Sequence, residues 1–208
     1  MSAMFVKICG ITSVGDARQA VAAGATALGF VFWPKSPRFV TPDLAAEIVR
    51  AVPPGVETVG VFVDAPIDSI IATVERVGLT TVQLHGDEPA AYATALKRPV
   101  LRAVRVGADP AADEWPEGTR LLLDAIDPAV RGGTGMQVDW AGAALVARDR
   151  EVVLAGGLTP DNVGAAIERV RPWGVDVSSG VEQAPGVKDP DKVARFVANA
   201  TRAYEACR

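Results

Sequence analysis

A cysteine and an aspartate stand where two apolar runs stop. Cys9 closes FVKIC (5–9) and Asp124 closes RLLLD (120–124). A thiolate can take a proton from carbon and a carboxylic acid can give one to a leaving or ring oxygen, so the two residues make an acid–base pair. A free thiol ionises at about pH 8.5, so a working thiolate needs positive charge nearby. Lys7, two residues before Cys9 and therefore on the same strand face, offers it. Plainer readings exist for both: Cys9 as a small buried hydrophobe, Asp124 as a cap on the following segment.

Other residues point to a ligand with two charged ends. Arg38 follows Ser36-Pro37 in a loop stiffened by Pro34 and Pro37. A guanidinium held that way suits two-pronged recognition of a carboxylate; the alternative is a solvated surface charge. Three short loops are rich in glycine or serine: GGTG (132–135), AGGL (155–158) and SSG (178–180). Glycine lets backbone N–H groups come close to a phosphate, and serine adds a hydroxyl donor. Gly133, Gly135, Gly156, Gly157, Ser178, Ser179 and Gly180 are the candidate phosphate-binding residues. Any one such loop could be a tight turn, but three that converge favour a phosphate. Lys7, Arg38, Gln83 and His85 are the candidate substrate-binding residues. His85 is the only histidine, and a lone histidine is more often a structural hydrogen-bonding group than a ligand or base. One histidine and two distant cysteines cannot build the usual zinc sites, so no metal site of that kind is expected.

These residues need a scaffold that collects them. Apolar runs recur along the chain: FVKIC, ALGFVF, TVGVFV, TVQLH, PVLRAV, RLLLDA, EVVLAGG and GVDVSSG. Most are unbroken rather than alternating, as in parallel strands covered on both faces. Helix-like segments separate them, expected over 13–23, 41–52, 65–77, 88–97, 138–148, 159–170 and 189–207. Several begin with a capping residue followed by proline, as in Thr41-Pro42, Thr159-Pro160 and Asp189-Pro190. The fifth unit, GADPAADEWPEG, has room for about one helical turn. Eight βα units in 208 residues predict an α/β fold, a (β/α)₈ TIM barrel forming a single domain over 1–208. An open doubly wound sheet is the rival, but the first strand runs into CGITS rather than its glycine-rich fingerprint. In a barrel the active face lies at the C-terminal strand ends, which is where the residues above fall.

Bulk properties narrow the function. The net charge of −4 and the lack of a dense basic stretch argue against nucleic acid or an anionic membrane surface as a partner. No apolar run approaches the roughly 18–20 residues needed to span a bilayer, and the N-terminus lacks a signal-peptide core. Cys9 and Cys207 do not amount to a disulfide framework. A soluble, cytoplasmic, reduced protein is expected.

The motifs KICGIT (7–12), GFVFWPKSPR (29–38), VQLHG (82–86), LLLDA (121–125), GGTG (132–135), LAGGL (154–158) and DVSSGVE (176–182) resemble phosphoribosylanthranilate isomerase. The match runs in order from the first strand to the loop after the eighth. It implies a (β/α)₈ barrel that converts N-(5-phosphoribosyl)anthranilate to 1-(2-carboxyphenylamino)-1-deoxyribulose 5-phosphate in tryptophan biosynthesis. The reaction is an Amadori rearrangement without cofactor or metal. By the same resemblance Cys9 is the general base, Asp124 the general acid, and Arg38 the residue that holds the anthranilate carboxylate. The implied partner is a small phosphosugar, with the chain a monomer or homodimer. Two alternatives remain. A related histidine-pathway isomerase uses aspartates at both positions and binds two phosphates, whereas Cys9 occupies the first position here. A non-catalytic phosphosugar-binding barrel would have no need of the acid–base pair.

Overall fold

The computed structural model describes residues 4–105, 115–124 and 138–208. Eight strands carry the expected runs: β1 (Phe5–Cys9), β2 (Ala27–Val31), β3 (Glu57–Phe62), β4 (Thr81–Leu84), β5 (Val100–Arg105), β6 (Arg120–Asp124), β7 (Val152–Leu154) and β8 (Gly174–Val177). All neighbours are parallel, and β8 returns to β1 through the register pair Lys7↔Asp176, closing the barrel in chain order. The open doubly wound sheet is thereby excluded.

Strict alternation along each strand sorts the side chains. Phe5, Ala27, Val59, Leu101, Ala103, Leu122, Val153 and Ala155 pack together inside the barrel. Val6, Ile8, Leu28, Phe30, Val82, Leu84, Leu121, Leu123, Val175 and Val177 belong to the larger cluster that meets the helices. Lys7 and Cys9 therefore share the inward face with Phe5, and Asp124 shares it with Leu122. The N-terminal end of the interior is apolar, where Phe5 stacks on Trp173 with ring centroids 4.9 Å apart. The C-terminal end is polar.

The helices are α1 (Val14–Ala22), α2 (Pro42–Arg50), α3 (Ile67–Val77), α4 (Tyr92–Ala95), α5 (Trp140–Val146), α6 (Val163–Val170) and α7 (Pro190–Ala206). Caps fix several starts: Thr41 Oγ1 accepts from Leu44 N ahead of α2, and Asp189 accepts from the N–H groups of Asp191 and Lys192 ahead of α7. Two helices, α4 and α6, start about a full turn later than the sequence pattern suggests. Glu88 was expected to open α4, but its carboxylate accepts from Asp64 N and Gly86 N and contacts Arg102, which keeps the segment a loop until Tyr92. Before α6, Asn162 accepts from Thr159 N and donates to the Gly157 carbonyl, so 159–162 is a turn. The sequence also gave no sign of a small antiparallel hairpin after β8, made of β9 (Glu182–Ala184) and β10 (Val187–Lys188).

Candidate active site

Cys9 ends β1, and the chain then turns sharply. Gly10 has φ +76°, and both its N–H and that of Ile11 donate to the Gly29 carbonyl at 2.9 Å. A Cβ at Gly10 would sit 2.6 Å from Arg38 Cδ. Glycine follows the cysteine because the backbone is left-handed there and the arginine stem crosses it. Gly29, the register partner of Cys9 on β2, has a similar role. A Cβ there would lie 2.8 Å from Cys9 Sγ and 3.1 Å from Lys7 Cε.

Lys7 has no exposed surface, and its Nζ lies 2.9 Å from Asp176 Oδ1. A buried ammonium without a counter-ion would be very costly, and β8 supplies one. Burial pulls the Lys7 ammonium down, but the Asp176 charge and the neighbouring Cys9 outweigh it, so its pKa is raised. Burial pushes the Cys9 thiol up and Asp176 adds to this, while Lys7 and Lys188 pull it back. The net direction for Cys9 is upward. Trp33, Val31 and Val61 line the apolar side of the sulfur.

Arg38 is held by the chain itself. Its Nε donates to Glu182 Oε1 at 2.9 Å and its Nη2 to Oε2 at 2.7 Å. Glu182 Oε1 also accepts from Lys188 Nζ at 2.7 Å. These bonds overcome the upward push of burial and hold the Glu182 carboxyl below its ordinary range. Burial lowers Lys188 in spite of Glu182. A guanidinium has five N–H donors, so fixing two of them aims the other three. The sequence reading treated Arg38 as a group awaiting a carboxylate. In the fold one carboxylate, that of Glu182, already orients it.

The opposite side of the mouth is built from β4 and β6. Gln83 Nε2 lies 2.9 Å from His85 Nδ1, and His85 Nε2 lies 3.6 Å from Asp124 Oδ2. Gln83, His85 and Asp124 are all buried.

The loops after β7 and β8 touch. Gly156 and Gly157 are left-handed, with φ of +72° and +67°. A Cβ at Gly180 would overlap the Leu158 carbonyl oxygen. Ser179–Val181 forms one 3₁₀ turn. Ser178 Oγ donates to the Cys9 carbonyl at 3.1 Å, tying this loop to β1. Gly133 and Gly135 lie outside the described residues. Among the described residues, no group of three or more histidine, cysteine or acidic side chains could hold a metal ion, and no helix is long and apolar enough to cross a membrane. Both cysteines are free.

Residues 6–199 match the family model of N-(5'-phosphoribosyl)anthranilate (PRA) isomerase. The chain belongs to this family. It is 51% identical over 199 residues to N-(5'-phosphoribosyl)anthranilate isomerase of Geobacter sp. (strain M21), covering 95% of this chain and 98% of the relative. Among solved structures, phosphoribosyl anthranilate isomerase from Thermotoga maritima superposes with a TM-score of 0.87 at 42% identity, covering 95% of this chain and 98% of that one. Another, at TM-score 0.84 and 41% identity with the same coverage, is the isomerase in complex with reduced 1-(o-carboxyphenylamino)-1-deoxyribulose 5-phosphate.

The sequence reading did not assign Asp176, Glu182, Lys188 or Gly29 to the site. DVSSGVE contains the first two, but their partners lie 169 and 144 residues away along the chain. Only a rule pairing every buried cation with an acid could have found them.

Proposed function

We propose that the chain isomerises N-(5'-phosphoribosyl)anthranilate in tryptophan biosynthesis, in the cytoplasm, with residues 1–208 acting as one domain and Cys9 and Asp124 as base and acid. Asp124 gives a proton to the furanose ring oxygen. The C1–O bond breaks, and the anthranilate nitrogen pushes its lone pair in to form a protonated imine. That cation acidifies the C2–H. The Cys9 thiolate takes this proton, and the C–H electrons become the C1=C2 bond of an enolamine. Proton return to C1, with loss of the enol O–H proton, leaves the ketone. The product is an isomer of the substrate, so proton transfers alone balance the reaction and no cofactor is required. Each positioned proton donor or acceptor is typically worth about 10²–10⁴-fold.

The observation that carries this reading is the shared inward face of Cys9 and Asp124 at the C-terminal ends of β1 and β6, within a family of that activity. Arg38, oriented by Glu182, receives the anthranilate carboxylate with its remaining donors. The N–H groups of Gly156, Gly157, Ser179 and Gly180 hold the phosphate, with Gly133 and Gly135 as further candidates from the sequence. Gripping the phosphate away from the reacting carbons orients the sugar between acid and base. Lys7, beneath the sulfur, acts on substrate through Cys9, and Gln83 and His85 line the acid side. Every one of these groups comes from one chain, so the reading makes no demand on oligomeric state.

The test is product fluorescence on adding phosphoribosylanthranilate to purified protein with no cofactor present. Activity is expected, with Cys9→Ala and Asp124→Asn each lowering kcat at least about a hundredfold. Full activity in either folded variant would overturn the roles.

A further inference from the structure

The buried groups around Cys9 do not balance in charge. Lys7 on β1 pairs with Asp176 on β8. Arg38, in the loop after β2, and Lys188, on β10, share the single carboxylate of Glu182. Gly29, the β2 residue facing the sulfur, carries no charge. Across the mouth, His85 and Asp124 pair with each other from the ends of β4 and β6. Among the ion-paired side chains of Lys7, Asp176, Arg38, Glu182 and Lys188, three are cationic and two anionic, which leaves one positive charge in excess; the half-buried Asp16 carboxylate on α1 meets the backbone N–H of Lys188, at 3.4 Å. A thiolate at Cys9 would cancel that excess.

Lys188 is the cation with least explanation elsewhere. Its side chain is almost fully buried on a two-residue strand, and a buried ammonium is costly to keep. Glu182 is already held by both prongs of Arg38, so its carboxylate is satisfied without the lysine. Nζ also approaches the Ser178 carbonyl at 3.4 Å, and Ser178 Oγ bonds the Cys9 carbonyl. The ammonium is thus fastened to the loop that is fastened to the cysteine.

We infer that Lys188 is a positioning residue for the base: held by Glu182 and Ser178, it supplies the excess positive charge that lets Cys9 work as a thiolate. This rests on the reading of Cys9 as the base. Lys188 is also one of the two cations that draw the thiol down against burial. The hairpin β9–β10 therefore has a chemical task, which is to carry an ammonium to the sulfur.

The experiment measures the Cys9 thiol directly. In a Cys207→Ser background Cys9 is the only thiol, and its rate of alkylation by iodoacetamide against pH gives its ionisation midpoint. Lys188→Gln keeps a donor for Glu182 but no charge, and should move the midpoint up by about one unit or more. Lys188→Arg keeps the charge and should leave it near the parent value. Lys188→Met, which matches the lysine stem in bulk, is the second neutral variant should the glutamine variant fail to fold. An unchanged midpoint in a folded neutral variant would overturn the inference and leave the base assignment intact. Full activity in Cys9→Ala would instead remove the base assignment, even if the midpoints moved as expected.

Discussion

The two halves of the barrel mouth are built differently. Around Cys9 the elements β1, β2, β8 and the β9–β10 hairpin bring together two ion-paired groups, Lys7 with Asp176, and Arg38 and Lys188 with Glu182. Around Asp124, at the end of β6, the described neighbours include an amide and an imidazole from the end of β4, Gln83 and His85. The contrast follows from the chemistry asked of each side. A sulfur that must become an anion in a buried place needs cations, because burial alone pushes the thiol up. A carboxyl that must carry a proton is poorly served by adjacent fixed cations, which favour its ionised form. The cations themselves need acids, and so the base side becomes a network.

This comparison can be tested where it is most sensitive. Gly29→Ala should have the largest effect, because the new Cβ would meet Cys9 Sγ at 2.8 Å and the Cys9 backbone at 3.0 Å. A displacement of about 1 Å at a reacting atom costs about a hundredfold in rate, and that loss of kcat is expected with the fold retained. Steady-state kinetics beside a circular dichroism spectrum would check it; an unimpaired kcat would mean that the sulfur position does not depend on this glycine.

Arg38→Ala comes next. Losing a charged hydrogen-bonding partner for a carboxylate is worth about 1.5–3 kcal/mol, so KM should rise by about ten- to a hundredfold. Inorganic phosphate should still compete about as well as before, since its loops are separate. Equal weakening of both ligands would show that Arg38 supports the whole mouth and not the carboxylate alone.

The gentlest probe is pH. Cys9 must lose its proton to act, and burial holds its pKa above the ordinary thiol range. Below that pKa the thiolate fraction grows with pH, so kcat/KM should climb by up to about tenfold per unit from neutral into the alkaline range. A profile flat across that range would separate the rate from the thiol and erase the asymmetry between the two halves.

Much of this was legible in the chain. Unbroken apolar runs such as EVVLAGG predicted strands covered on both faces, and Thr41-Pro42 and Asp189-Pro190 marked helix starts that the structure keeps. The candidate acid and base were visible because a polar residue ending an apolar run stands out. The hairpin was not visible, since EQA and VK are too short to show a period. Nor was the late start of α4, where the Glu88 side chain serves the loop before it.

By itself the sequence determined which strands form and which side chains stand at their C-terminal ends. Those facts follow from local periodicity and from glycine and proline placement, which act over a few residues. Only the closed barrel decided that Asp176 would neutralise Lys7, that Glu182 would aim Arg38, and that Lys188 would join them on Glu182. Charge compensation in a buried site depends on distance in space, and residues far apart along the chain become neighbours only when β8 closes against β1.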